Sequence, residues 1–404
     1  MTIFSFSENV SLFDGKFDCS LSWNDGTVLE AKVIVVMLVH ENGPEISKAL
    51  ASVIHQNTTV PFALLLVDDS KSQSWRNHAI EAMVSPCIIH AKIPSLGVAR
   101  TRNLANRIVR EFFGQAEWIC RLDADDELAT QNVLESMYCQ LESGGNGIKW
   151  ALAGNSLEKD SRLLKRENRA IEQLMQRAYV LERLQGMAEG KSEAELPSCN
   201  LWIRTGFKAV YPEVESAEDH WLVAHLLIKH SDVGRLFPDI LHAKYTLSGN
   251  TTQRNCASGM YTESRQALYR SALFWAGGGL ISNAAVCLGW GFEGVVWKKD
   301  EQITKRFHSL ILDNSHVKWL QNLPSLPMPQ AKWSIINGRW EAKYPFEPTN
   351  PAVTVSLPML SRFIEKCLAQ QVVYLNITRS NFRIKDNDLY HIDIGSWVVP
   401  FEVR

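Results

Sequence analysis

Residues 32–39 read Lys-Val-Ile-Val-Val-Met-Leu-Val, a run with no polar side chain after its first position. In a strand, successive side chains point to opposite faces. A strand that is apolar at every position must therefore be covered on both faces, as in a parallel sheet flanked by helices. The run is far shorter than the roughly 20 residues needed to cross a bilayer.

The next stretch of chain has the period such a sheet requires. Gly43-Pro44 breaks the strand, and Pro44 falls near a first helical turn, where a missing N–H is tolerated. Ile46, Leu50, Val53 and Ile54 then lie on one helical face. The pattern predicts strands over 62–67, 87–91 and 118–122, with helices around 74–83 and over 98–113. Strand–helix alternation at these lengths implies an α/β fold with a mostly parallel sheet flanked by helices. In such sheets ligands gather beyond the carboxyl ends of strands. Asp68-Asp69 stand at one such end, and Asp123, Asp125 and Asp126 at another.

Further along, residues 155–190 are rich in Lys, Arg and Glu and suggest an exposed helix or hairpin. Residues 198–204 read as a strand, and Glu218-Asp219 opens a helix that runs through His230. Gly277-Gly278-Gly279 follows a helix predicted over 261–275 and marks a boundary. Ahead of the main pattern, Asn24-Asp25-Gly26 is a turn signal within short alternating segments. The expected organisation is a β-hairpin appendage at 1–30, a main domain at 31–278 and a second module at 279–404.

At 404 residues the chain is long for one core. Its net charge of -2 gives no electrostatic reason to expect a nucleic-acid partner. The N-terminus lacks a basic, then apolar, leader pattern. The eight cysteines are scattered without a C-x-x-C pair, which suggests reduced thiols rather than a disulfide frame or a zinc site. A cytoplasmic protein, with peripheral attachment to a membrane allowed, is the expectation.

Asp123-Ala124-Asp125 places two short carboxylates on one side of a strand end. Hard divalent ions such as Mg²⁺ and Mn²⁺ select such oxygens. An alternative is that Asp125 or Asp126 caps a helix starting near Glu127.

Taken in order, the segments over about 31–275 resemble the family 2 glycosyltransferases of the GT-A fold. The opening strand at 33–39 with His40-Glu41-Asn42 resembles the family's first strand and its nucleotide-contacting turn. Leu65-Leu66-Val67-Asp68-Asp69-Ser70 resembles the second strand, whose acids contact base and ribose, although an Asx-turn explains one of the two aspartates equally well. Gly97-Val98-Ala99-Arg100-Thr101-Arg102-Asn103 resembles the helix start beside the donor. There Arg102 would meet a phosphate or form a surface ion pair. Arg121-Leu122-Asp123-Ala124-Asp125-Asp126 resembles the metal motif, with Asp125 favoured for the ion and Asp123 for the ribose or a supporting contact. Ser198-Cys199-Asn200-Leu201-Trp202-Ile203-Arg204 resembles the acceptor-side strand. Ala217-Glu218-Asp219-His220-Trp221-Leu222 resembles the motif that carries the catalytic base, Asp219. Acids at a helix N-terminus are also favoured by the dipole alone. The segment 247–254 resembles a closing loop, with His242 and Arg254 as diphosphate contacts.

The resemblance implies an inverting, metal-dependent transferase that uses Mn²⁺ or Mg²⁺. Its donor would be a nucleoside-diphosphate sugar, UDP-sugar first. Its acceptor would be a hydroxyl on a glycan, lipid-linked or protein partner, in glycan or cell-surface polysaccharide assembly.

The C-terminal part carries a second resemblance. Gly289-Trp290-Gly291-Phe292-Glu293-Gly294, then Lys305, Tyr374-Leu375-Asn376, Asn381 and Asp393-Ile394-Gly395 together resemble a truncated protein-kinase-like domain. This implies an ATP and Mg²⁺ site, or a docking surface for a protein partner. Asn376 stands where a catalytic Asp is expected, so phosphoryl transfer is not. No partner Glu for Lys305 is evident in the sequence, and an unrelated small α+β domain remains an open alternative.

Overall fold

The computed structural model describes residues 2–401 except 9–16, 24–25, 73, 80–81, 146, 160–161, 165–171, 192–195, 199, 247–257, 279–283, 309–310, 324–325, 347–349, 352–354, 376–377 and 379–380. It contains two compact units, one around residues 17–279 and one around residues 280–404.

The first unit is α/β. Its strands are β1 (Thr2–Glu8), β2 (Phe17–Trp23), β3 (Val33–Val39), β4 (Phe62–Asp68), β5 (Ile88–Lys92), β6 (Trp118–Arg121), β7 (Glu127–Leu128), β8 (Trp150–Lys159), β9 (Arg162–Leu164), β10 (Leu201–Arg204) and β11 (Gly234–Thr246). They form one 11-stranded sheet in the order β1-β2-β5-β4-β3-β6-β10-β8-β11-β7, with β9 beside β8.

Strand β3 is the keel, and its alternation divides the core. Val33, Val35, Met37 and Val39 face α1 (Ile46–Ile54), with α3 (Val133–Ser143) beside it. Ile34 and Val36 face α2 (Val98–Phe112) through Leu104, Ala105 and Ile108. Each large apolar side chain so buried contributes about 1.5–3 kcal/mol, and this two-sided cover is what the unbroken apolar run required.

The mostly parallel sheet expected from the sequence holds at the centre, and β8 and β11 also pair in parallel. Strands β5, β4, β3 and β6 are mutually parallel. Beyond them β10 runs antiparallel to both β6 and β8, β7 is antiparallel to β11, and β2 is antiparallel to β5, so the sheet is mixed. Helix α1 is the crossover between the parallel neighbours β3 and β4. The β1–β2 hairpin is likewise an edge of this sheet rather than a separate appendage, because β2 pairs with β5.

Three local readings change. The helix expected at 74–83 is two short 3₁₀ turns, Ser74–His78 and Ala82–Val84, because buried Trp75 is the main apolar anchor of the first turn. The 155–190 segment begins as β8 and β9 and ends as α4 (Arg177–Ala188), which buries Val180, Leu184 and Met187 and is therefore not a freely exposed helix. No helix begins at Glu127. That residue opens β7, paired to Lys244 of β11, so the helix-cap alternative for Asp125 and Asp126 falls away. Helices α5 (Glu218–Lys229) and α6 (Met260–Trp275) complete the unit.

The second unit is α+β. Strands β12 (Val286–Trp290), β13 (Gly294–Lys299), β14 (Gln302–Phe307), β15 (Lys332–Ile336) and β16 (Arg339–Pro345) form an antiparallel sheet in the order β12-β13-β14-β16-β15. β17 (Asn350–Pro351), β19 (Phe382–Lys385) and β20 (Asp388–His391) form a second sheet, and β18 (Val372–Tyr374) pairs with β21 (Val398–Pro400). Helices α7 (Asn314–Gln321) and α8 (Leu357–Ala369) pack on a core that includes Phe307, Val317, Phe363 and Val398. Among the described residues of the chain, no helix is long and apolar enough to cross a membrane.

Candidate active site

The acids expected at strand ends do lie at the carboxyl edge of the central strands, in two groups of different character. Asp68 ends β4 with its side chain wholly buried. Its Oδ1 accepts from Lys92 Nζ (3.1 Å) and Ser70 N (3.0 Å), and its Oδ2 lies 3.3 Å from His90 Nε2. Burial alone would raise its pKa, but the hydrogen bonds from His90, Ser70 and Lys92 outweigh burial and hold the carboxyl well below its ordinary range. Asp69, slightly more exposed, bonds His40 Nδ1 (2.8 Å) and Thr101 Oγ1 (3.4 Å). Of the pair, Asp69 is the better placed for a ligand, and Asp68 is a buried tie between strands.

This makes a testable statement about pH. A depressed folded-state pKa adds stability above the unfolded value of about 3.9 and loses it as pH falls. Asp68→Asn is therefore expected to cost about 3–5 kcal/mol near pH 7. The deficit relative to the natural protein should narrow towards about pH 3, as read by urea unfolding at both values. An equal deficit at both would show that the carboxylate's charge contributes nothing.

Two residues expected at the nucleotide instead close loops. Glu41, at a left-handed φ of 50°, accepts from the backbone of Lys71 (2.6 Å) and Ser72 (2.8 Å) and from the Ser72 hydroxyl. These bonds pull its pKa down. Asn103 spends both ends of its amide on the backbone of Tyr211, each at 2.8 Å. That bond ties α2, which begins after Gly97 at a φ of 83°, to the Tyr211 segment.

The second group joins acids and two arginines. Asp123 follows β6, and both its oxygens are held by Arg121, at 2.8 Å from Nε and 2.6 Å from Nη2. Arg102 Nη2 stands 3.7 Å from Asp123, and Arg102 Nη1 pairs with Glu218. Asp219 Oδ2 accepts from Arg121 Nη1 (3.3 Å) and from the Ser198 hydroxyl (3.0 Å). The turn before α5 is set by Ala217, which adopts left-handed backbone (φ 60°) without being glycine, a strain that tends to be kept where a site needs it.

The three carboxylates respond differently. Burial would raise all three. For Asp123 it is overcome by Arg121 and Arg102, and for Asp219 by His220, Arg121 and Arg102, so both are held low. For Glu218 burial and the neighbouring Asp219 outweigh Arg102, and its pKa is raised. A buried acid pair with opposite shifts is a common functional arrangement.

Among the described residues no three His, Cys, Asp or Glu side chains converge as a metal cage. A hard ion shared with substrate phosphates needs only one or two carboxylates, the rest being phosphate oxygens and water. Asp125 is half-buried two residues beyond Asp123. Three carboxylates against two guanidiniums leave the cluster one negative charge, so the donor set fits an ion that arrives with a diphosphate. His242 does not belong to that set. It is fully buried, accepts from Trp202 Nε1 (3.2 Å) and faces the Arg121 carbonyl (3.3 Å), so it ties β11 to β6. Arg254 and the segment 247–254 lie outside the described residues.

Sequence reasoning passed over Arg121 and Ser198 as functional residues. The signal for Arg121 was present: two residues before Asp123 on a strand, it points to the same side.

The profile of Glycosyl transferase family 2 matches residues 34–199. That match runs from β3 to just before β10 and likens this part of the first unit to a glycosyltransferase domain. No curated protein matches the chain. Among solved structures it is similar to Staphylococcus aureus TarS 1-349 in complex with UDP, at 14% identity and a TM-score of 0.42, over 60% of this chain and 65% of that one. It is also similar to the Pyrobaculum calidifontis mannosyltransferase PcManGT in complex with GDP-Man and Mn2+, at 13% identity and a TM-score of 0.39, over 63% and 75%. A third is Mycobacterium tuberculosis glucosyl-3-phosphoglycerate synthase in complex with phosphoglyceric acid, at 11% identity and a TM-score of 0.38, over 65% and 86%.

In the second unit, Lys305 of β14 is buried and gives all three N–H bonds to the protein: Glu293 Oε2 (2.5 Å), Asp393 Oδ1 (2.6 Å) and the Ile394 carbonyl (2.8 Å). The acid that the sequence left unassigned is thus Glu293, from the glycine-rich turn itself, which Ser396 also holds through its N–H (2.7 Å) and hydroxyl. Gly395 is required here: a Cβ would stand 2.6 Å from Phe307 and 2.8 Å from Glu293. The triad lies on the wall of a cavity of about 650 Å³, with Asn381 alongside and Trp290, Phe292, Tyr344 and Phe346 among its apolar lining.

Proposed function

We propose that the first unit is an inverting glycosyltransferase of the GT-A type that takes a nucleoside-diphosphate sugar, UDP-sugar first, as donor. The observation that carries the reading is Asp219, an ionised carboxylate at a helix start beside the Asp123–Asp125 turn. An acceptor hydroxyl gives its proton to Asp219 as its oxygen bonds to the anomeric carbon. The bond from that carbon to the diphosphate breaks, and the nucleoside diphosphate leaves. Asp69 and the His40 turn would meet the nucleoside, and Arg102 the diphosphate. A divalent ion, when bound at Asp125, would offset charge on the leaving group. The acceptor would be a hydroxyl, in glycan or polysaccharide assembly.

Calorimetry with UDP and GDP, with and without Mn²⁺, tests the donor side. Mn²⁺ should tighten binding to the natural protein by at least about ten-fold, roughly 1.4 kcal/mol, and Asp125→Ala should lose that increment. Equal metal enhancement in both proteins would remove Asp125 from the metal site.

A second reading concerns the 650 Å³ cavity, where Lys305, Asp393 and Asn381 converge beside apolar walls. This supports a nucleotide-binding, kinase-like module without phosphoryl transfer, serving a regulatory or docking role. Lys305 has no N–H left for a phosphate while Glu293 holds it, so no step through ATP is drawn. Titration with ATP, with and without Mg²⁺, separates the outcomes: saturable binding lost in Asp393→Ala supports the reading, and absence of binding removes it.

A further inference from the structure

Two arginines divide the acid cluster between them. Arg102 joins Asp123 to Glu218, and Arg121 joins Asp123 to Asp219. Each guanidinium therefore links the donor-side turn to one member of the acceptor-side pair. They differ in how firmly they do so. Arg121 grips both oxygens of Asp123 within 2.8 Å, whereas Arg102 approaches one of them at 3.7 Å.

Arg121 is itself buried and anchored at its base. Its side chain is 6% exposed, its backbone lies in β6 between β3 and β10, and its carbonyl faces His242. His242 Nδ1 accepts the indole N–H of Trp202, so its Nε2 carries the proton and donates to that carbonyl. A planar guanidinium fixed at its base acts as a ruler between the groups it bonds.

The atoms of Asp219 show what the ruler sets. Oδ2 accepts from Arg121 and from Ser198, which fills its two lone pairs. Among the described residues, Oδ1 accepts only from the backbone N–H of His220 (2.8 Å), which leaves one lone pair. We propose that Arg121, with Ser198, is a positioning residue that turns Oδ1 of Asp219 outward as the proton-accepting atom and fixes it relative to the donor-side turn. This rests on the transferase reading of the site. Arg121 touches neither donor nor acceptor in this scheme, because Nε, Nη1 and Nη2 all point at carboxylates.

The test uses the full chain with two variants. Arg121→Lys keeps the charge but cannot bond Asp123 through two nitrogens and reach Asp219 at once. Ser198→Ala removes the other donor to Oδ2. Circular dichroism and Tm verify folding, UDP and GDP with Mn²⁺ serve as binding probes, and turnover is followed on the nucleotide-sugar that the natural protein consumes. Arg121→Lys should lower kcat by about 10²-fold, the effect of a small misplacement. Its KM for the nucleotide-sugar and its Kd for the diphosphates should stay within about three-fold, because the positive charge beside Asp123 is kept and Asp69, Arg102 and Asp125 are unchanged. Ser198→Ala should show the same split with a loss of about ten-fold. The acid limb of the Arg121→Lys pH profile should also move to higher pH, since a less well-held carboxylate binds its proton more tightly.

Loss of diphosphate binding in step with kcat would make Arg121 a donor ligand and overturn the proposal, as would an unchanged kcat in both variants. If Arg121→Lys fails to fold, Ser198→Ala decides alone by the same criteria. Failure of the natural protein to bind either diphosphate would instead sink the transferase reading itself.

Discussion

Asp219→Asn is expected to reduce sugar transfer by about 10²–10⁴-fold, the usual worth of a general base, while nucleoside-diphosphate binding stays unchanged. The amide is nearly isosteric and keeps an oxygen for Arg121 and Ser198, so the turn at Ala217 and the start of α5 should persist. What it cannot do is accept the acceptor's proton. The substitution also removes one of the charges that raise the pKa of Glu218, so Glu218 should titrate closer to an ordinary glutamate. Initial rates on the donor–acceptor pair, with calorimetry on UDP or GDP, separate chemistry from binding. A variant that transfers at the natural rate would move the base elsewhere. Glu218, already paired with Arg102, would then be the next carboxylate to replace.

The second large effect is expected in the other unit. Lys305→Met should destabilise it by about 3–5 kcal/mol, because Glu293 and Asp393 are left facing each other without their shared cation. Glu293 is nearly buried, its pKa is already raised by burial against the pull of Lys305, and the Asp393 charge adds to that. The double variant Glu293→Gln with Lys305→Met should recover a large part of the loss, since removing both members of a buried pair is far milder than removing one. Hydrogen exchange of β14 and β16 amides, compared across the two single variants and the double, reads the effect where it arises. Additive losses in the double variant would show that the two residues do not act as a pair.

Much of the first unit was legible locally. An apolar run with no alternation, helices with one apolar face and acids at strand ends are all short-range patterns, and each obeys a period of the backbone. Where a segment lacked such a pattern the reading slipped. At 74–83 one buried tryptophan rather than a helical stripe shapes the chain, and at Glu127 a two-residue strand exists only because β11 passes beside it. The switch from parallel to antiparallel pairing past β6 had no local mark at all, since it depends on which strand arrives at the edge.

The sequence alone pointed to the acids that this protein carries near the ends of its strands and the start of one helix: Asp68-Asp69, Asp123 to Asp126, and Glu218-Asp219. The tertiary structure decided which of them is spent on the fold. Asp68 is consumed by His90 and Lys92, Glu41 by the 71–72 backbone and Asn103 by Tyr211. Asp219 is instead held at one oxygen by Arg121, from 98 residues away in sequence, and by Ser198. The reason is physical. A carboxylate's availability depends on how many donors fold onto it, and those donors come from other strands, in a register that no local pattern specifies.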